Sequence, residues 1–174
     1  LRVVYRVAGE GTKEFSEMKA GDTLEVMGPL GNGFTMKNEK AIIIGGGIGI
    51  PPMLELAKQL DAEKTVVLGY RTSTFLKEEF EEVCDVKIAT EDGSQGAKGT
   101  VIDAIEKYGV EGKVIYACGP MPMLKALAAY AEEHGMEAQI SLEERMACGI
   151  GACLGCICKS KTKDHHTNVN NTRI

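Results

Sequence analysis

One pattern restricts the possible folds more than any other. Between residue 41 and about residue 141, short apolar runs alternate with stretches of helical period. The runs are Ala41–Ile44, Thr65–Leu68, Val86–Ala89 and Val114–Ala117, with a fifth expected at Ala138–Ser141. A strand exposed on one face alternates apolar with polar residues, whereas continuous apolar runs suit strands covered on both faces. Between the runs, Met53, Leu56, Ala57 and Leu60 follow the i, i+3, i+4, i+7 spacing of one buried helix face. Val101, Ile105 and Tyr108 form a similar stripe, as do Met123, Leu127 and Ala131. The alternation predicts an α/β fold: a doubly wound parallel sheet of the nucleotide-binding kind.

Three zones follow from this. Residues 1–38 hold short β-like runs, Val3–Val7 and Thr23–Met27, broken by glycines. They read as the end of a β-barrel too small to bury a core alone. Residues 39–141 are the nucleotide-binding domain. Residues 142–174 are a glycine- and cysteine-rich loop with a polar tail, lacking any useful helical or strand period. The chain opens in what reads as mid-strand, Leu1-Arg2-Val3-Val4-Tyr5, and closes on Asn171-Thr172-Arg173-Ile174. It therefore reads as a fragment cut at both ends.

Directly after the first run comes Gly45-Gly46-Gly47-Ile48-Gly49-Ile50-Pro51-Pro52, which opens the next helix. Glycines let backbone approach a pyrophosphate, and helix-start N–H groups face the anion. Proline at a first helical position loses no needed donor. The spacing departs from the standard dinucleotide fingerprint, because Ile50 stands where the third glycine would be. Gly46, Gly47 and Gly49 are the candidate cradle; the plainer alternative is a tight turn with no ligand. A second loop, Cys118-Gly119-Pro120-Met121-Pro122-Met123, falls at the same sheet edge and starts another helix. A free cysteine is more often a small buried hydrophobe than a reactive group, so Cys118 alone says little. Arg71, just past the second run, would suit the 2′-phosphate of NADP, whereas an acidic residue would suit NAD. It reads equally as a solvated loop residue, and the choice stays open.

Four of the six cysteines fall between Cys148 and Cys158. Cys148, Cys153 and Cys156 have the C-x4-C-x2-C spacing of a plant-type [2Fe–2S] site, which expects a fourth cysteine farther on. Gly149, Gly151, Ala152 and Gly155 let the loop wrap closely, so that its N–H groups reach the sulfurs. Structural zinc is the competitor, but it usually uses paired C-x2-C knuckles and only one such pair is present. A disulfide hairpin fits poorly in a reducing compartment. Cys158 stands too near Cys156 to complete the site, and His165 and His166 read as surface. The fourth ligand is expected just past Ile174.

The formal net charge of −5, with no basic stripe, argues against nucleic acid. The longest apolar runs are far too short to cross a bilayer. No charged-then-apolar leader opens the sequence, so the cytoplasm is the expected location.

Gly45–Pro52 and Cys118–Met123 resemble the two nucleotide-site loops of the ferredoxin–NADP reductase superfamily. With Glu144-Arg145-Met146-Ala147-Cys148 and the cysteine loop, the chain resembles the electron transfer subunits of bacterial NAD-dependent dihydroorotate dehydrogenases. Val4-Tyr5-Arg6 with Gly11-Thr12 resembles that family's late FAD-binding segments, and Gly28-Pro29-Leu30-Gly31-Asn32-Gly33-Phe34 is also typical of it. The resemblance implies FAD held in part by Val4, Tyr5, Arg6, Gly11 and Thr12. It also implies NAD at the two glycine loops, with Cys118 and Gly119 near the nicotinamide, and a [2Fe–2S] cluster on the three cysteines. It implies an FMN-containing catalytic partner in a heterotetramer of two copies of each subunit, serving pyrimidine biosynthesis. Electrons would leave dihydroorotate at the partner, pass singly through the cluster to FAD, and reach NAD⁺ as a hydride. No general acid or base is then required of this chain. The family's main FAD motif would lie upstream of Leu1, and its fourth cluster cysteine is not among residues 1–174. Two rivals remain: the small subunit of a ferredoxin–NADP oxidoreductase or sulfide dehydrogenase, and a zinc-containing nucleotide-binding regulatory module.

Overall fold

The computed structural model describes residues 2–28, 33–142, 147, 148, 153, 155–159 and 171–173. Two units separate: Leu1–Ala20 with Phe34–Ser141, and Gly21–Gly33 with Leu142–Ile174.

The first unit is built on a parallel sheet of β1 (Ala41–Gly46), β2 (Lys64–Tyr70), β3 (Asp85–Thr90), β4 (Ala97–Lys98), β5 (Val114–Cys118) and β6 (Glu137–Ser141). Its spatial order is β4-β3-β2-β1-β5-β6. All six residues of β1 are buried, as a central strand covered on both faces requires. The chain moves outward from β1 to β4, then returns to the other side of β1 as β5. The β1–β5 border is thus the switch point, where open α/β sheets leave a crevice beyond the strand ends.

Helices α2 (Ile50–Gln59), α3 (Lys77–Glu81), α4 (Val101–Tyr108) and α5 (Met121–Glu133) connect the strands. α2 buries Ile50, Met53, Leu54 and Ala57. α4 starts at Thr100, whose hydroxyl accepts the N–H of Asp103, and stops at Gly109 in the left-handed region (φ 59°). It buries Val101, Ala104 and Ile105. Tyr108, expected on that face, is instead exposed, with Lys87 Nζ and Lys107 Nζ 5.7 and 5.3 Å from its ring centre. On α5 the buried stripe is Leu124, Leu127 and Ala131, and Met123 stands off it. Among the described residues no helix is long and apolar enough to cross a membrane.

Before β1, the chain is tied to the sheet by side chains rather than a ladder. The Tyr116 hydroxyl accepts the Lys37 N–H at 2.9 Å and donates to the Thr35 carbonyl at 3.1 Å. Gln139 accepts the Thr35 N–H at 2.8 Å and donates to its carbonyl at 2.9 Å. Phe34 packs edge-on to the Tyr116 ring at 5.6 Å, and Lys37 pairs with Glu137.

The amino-terminal zone departs from expectation. Val3–Val7 and Thr23–Met27 form no strand, and the segment between them contains a helix, α1 (Glu10–Glu17), with no buried residue. A strand needs a neighbour for its N–H and C=O groups, while a helix satisfies its own. In the second unit, β7 (Ile157–Lys159) pairs antiparallel with β8 (Asn171–Arg173), where no strand was expected. The register, Ile157 opposite Arg173, sends β8 back toward the residues that precede β7.

Candidate functional site

At the switch point β1 runs into a single 3₁₀ turn, Gly47–Gly49, and then into α2. The glycines there are small for different reasons. A Cβ on Gly49 would lie 2.3 Å from the Cys118 carbonyl oxygen and 2.6 Å from the Gly119 nitrogen. A Cβ on Gly46 would lie 2.6 Å from Met123 Sδ. These two glycines let the second loop close onto the first. Gly47 is different: its φ is +54°, it is exposed, and an added Cβ would meet nothing within 4 Å. The open side of the junction is therefore at Gly47, and the structure brings Gly46, Gly49, Cys118 and Gly119 together behind it.

Anion-binding capacity at this turn is limited. Of the four N–H groups at the start of α2, Pro51 and Pro52 lack two, and Ile50 donates its own to the Gly47 carbonyl. Cys118 is half-buried at the end of β5, in register with Gly45, and Ile48 and Met121 are exposed on the two loops.

Arg71 is exposed and directly follows β2. Its loop is closed by Tyr70, whose hydroxyl donates to the Phe75 carbonyl at 2.7 Å while the two rings meet edge-on at 5.4 Å. Burial pushes the Tyr70 phenol up to about 12, so it remains a donor at any physiological pH. The loop ends on Leu76, a non-glycine residue in the left-handed region (φ 60°). Tyr70 pairs in register with Thr90, and the Glu91 N–H bonds the Tyr70 carbonyl at 3.2 Å, so Glu91 and Asp92 follow β3 beside the start of the Arg71 loop. The N–H and hydroxyl of Ser94 hold the Asp92 carboxyl below its ordinary range.

Of the flavin candidates, Val4, Tyr5 and Arg6 lie exposed in the segment before α1, with Tyr5 edge-on to Phe15 of α1 at 5.7 Å. The Thr12 hydroxyl accepts the N–H groups of Ala8 and Gly9 at 2.9 and 3.1 Å and donates to the Gly9 carbonyl at 3.0 Å. Its one donor and two acceptor sites are full, which leaves backbone N–H groups as the free donors here. Gly11, one residue earlier, has open space where a Cβ would stand.

In the second unit, the Cys153 N–H donates to Cys148 Sγ at 3.4 Å. Cys156 is buried, Cys153 is exposed, and none of Cys84, Cys118, Cys148, Cys153 and Cys156 is in a disulfide. An N–H···S bond within the cysteine loop is the contact that stabilises thiolates around an iron–sulfur group. Among the described residues, no three His, Cys, Asp or Glu side chains are gathered into a metal-sized set. Glu144, Arg145, Met146, His165, His166 and the Cys158 side chain lie outside the described residues, as do Pro29, Leu30, Gly31 and Asn32. Sequence reasoning missed Met123 as part of the junction; its only signal was membership of the second loop.

Paired glycine loops at the switch point of a doubly wound sheet, with a cysteine loop beyond, define a pyridine-nucleotide oxidoreductase chain with an iron–sulfur segment. Residues 43–129 match the family described as the oxidoreductase NAD-binding domain. Residues 143–173 match the iron–sulfur cluster binding domain of dihydroorotate dehydrogenase B. The electron transfer subunit of dihydroorotate dehydrogenase B (NAD(+)) from Caldanaerobacter subterraneus subsp. tengcongensis is 50% identical over 161 residues, which are 91% of this chain and 65% of that protein. Its counterpart from Fusobacterium nucleatum is 46% identical, covering 97% of this chain and 69% of that one. The chain belongs to this family of electron transfer subunits, and spans about two thirds of the length of these relatives. A solved NADH-dependent reduced ferredoxin–NADP oxidoreductase superposes with a TM-score of 0.82 at 33% identity, over 97% of this chain and 65% of that one.

Proposed function

We propose that this chain carries electrons within an NAD-dependent dihydroorotate dehydrogenase, between an FMN-containing catalytic subunit and NAD⁺, in an assembly of two copies of each subunit. The observation that carries the reading is the junction of the two loops at the switch point, open at Gly47 and closed behind by Gly46, Gly49, Cys118 and Gly119. The nicotinamide nucleotide enters at Gly47, and Arg71 lies toward its adenosine end. Glu91 and Asp92, which follow the strand beside Arg71, repel a 2′-phosphate and favour NAD over NADP. Val4, Tyr5, Arg6, Gly11 and Thr12 contribute to the flavin site, Thr12 through its backbone. Cys148, Cys153 and Cys156 are cluster ligands, a role that the Cys153 N–H on Cys148 Sγ supports. Bound FAD and [2Fe–2S] would supply the conversion between two-electron and one-electron transfer that a nicotinamide alone does not make.

Anaerobic titration of the full-length complex tests this. NADH is expected to bleach flavin and [2Fe–2S] absorbance, and dihydroorotate to bleach both from the partner side. Zinc without iron, and no flavin absorbance, would overturn it in favour of a regulatory module. The solved ferredoxin–NADP oxidoreductase supports a second reading, a subunit with another partner; co-purification with an iron–sulfur subunit in place of the dihydroorotate-oxidising one would select it.

A further inference from the structure

We propose that Met123 is a positioning residue, a spacer that sets the gap between the two loops of the nucleotide junction. The proposal rests on reading that junction as the nicotinamide site.

Helical period assigns Met123 to the buried face of α5, but that face runs through Leu124, Leu127 and Ala131. Met123 is only partly buried, and its tip reaches the end of β1. A Cβ on Gly46 would meet Met123 Sδ at 2.6 Å and Cε at 3.1 Å. A Cβ on Gly119 would meet the same Cε at 2.5 Å. Glycine on both sides leaves a slot, and the thioether fills it.

The loops therefore touch in two unlike ways. At Gly49 the contact is with the Cys118 carbonyl and the Gly119 nitrogen, backbone against backbone, with no give. Between Gly46 and Gly119 the backbones also come close, since a Cβ on Gly119 would lie 3.1 Å from both Gly46 Cα and Gly46 N, but there the end of a flexible side chain is wedged beside them. The first is a fixed pivot; at the second, the wedged thioether holds the two backbones at their present distance. An unbranched thioether with three rotatable bonds suits an irregular gap of this kind. Hydride transfer needs reacting atoms about 3–3.5 Å apart, and a misplacement of about 1 Å can lower the rate roughly 100-fold. A change in spacer length should therefore act on the rate at saturating nucleotide far more than on affinity.

The test uses the full-length complex and stopped-flow reduction of flavin by NADH. Met123→Ala removes both contacts and is expected to slow reduction at saturating NADH by about tenfold or more, with the half-saturating concentration changing by less than about threefold. Met123→Leu keeps bulk near Gly46 but does not reach Gly119, and should fall between; it carries the comparison if the alanine variant fails to fold. Gly46→Ala displaces the thioether and should also slow the step. In the double variant Gly46→Ala/Met123→Ala, the new methyl takes the place of the thioether, leaving only the 3.1 Å approach of Pro120 Cδ to relax, so the rate should exceed that of Gly46→Ala alone. A wild-type rate in both Met123 variants, or purely additive losses in the double variant, would overturn the spacer. Failure of NADH to reduce flavin in the wild-type complex would instead overturn the reading of the site.

Discussion

Removing the Tyr116 hydroxyl isolates the tie between the sheet and the segment that enters it. In Tyr116→Phe the ring remains, fully buried, and keeps its edge-on contact with Phe34. Two hydrogen bonds disappear, but their losses differ. The Thr35 carbonyl still accepts from Gln139 Nε2 at 2.9 Å, whereas the Lys37 N–H loses the partner it had at 2.9 Å. One part-buried donor is left unsatisfied, worth about 1–2 kcal/mol. For a chain of this size that lowers the melting temperature by roughly 2–8 °C. In urea the midpoint should fall with no change in slope, since the surface exposed on unfolding is the same. Amide exchange at Lys37 should accelerate. Gln139→Leu removes the other half of the clasp, and through the shared Thr35 carbonyl the two substitutions should couple rather than add. A Tyr116→Phe variant with an unchanged midpoint and unchanged Lys37 exchange would refute the clasp.

Gly49→Ala forces a methyl against the Cys118 carbonyl and should destabilise the fold by about 3 kcal/mol, read by urea unfolding. Gly47→Ala meets open space and should lose only about 1 kcal/mol for its positive φ, while raising the half-saturating NADH concentration. Thr100 holds the Asp103 carboxyl below its ordinary 3.8 through its hydroxyl and N–H. A depressed acid contributes stability above its unfolded value and loses it as pH falls through the lowered one. Asp103→Asn should therefore flatten the acid limb of a stability–pH curve below about pH 4 and leave no trace in its shape at neutral pH. Cys156→Ala should abolish iron incorporation in the full-length protein, whereas Cys158→Ala should leave iron content and the visible spectrum unchanged; equal loss in both would redraw the ligand set.

The sheet was legible because burial on both faces writes itself into composition: Ile42, Ile43 and Ile44 admit no solvent-facing alternative. Each strand expected in the central zone is present, extended by one to three residues where glycine or polar ends hid its limits, as at Gly45–Gly46 and Asp85. The switch point was legible too, because glycine and proline cluster where strand becomes helix. What escaped was short or non-local. β7 and β8 have three residues each, too few for a period to emerge. The glycines flanking α1 resemble strand breaks as much as helix ends. Tyr116 meets Thr35 and Lys37 across about eighty residues of sequence, a contact no local pattern announces. The reason for Gly46 and Gly49 was likewise hidden, since a glycine that admits a neighbouring loop and one that admits a phosphate look alike in sequence.

The two prolines that open α2 have a kinetic meaning. A helix start stripped of N–H donors grips a pyrophosphate loosely, and among related sites a looser grip appears chiefly as faster release. Nicotinamide dinucleotide would then behave in this protein as a visitor with a short residence time. The turnover ceiling would shift away from product departure and toward whichever electron step lies behind it.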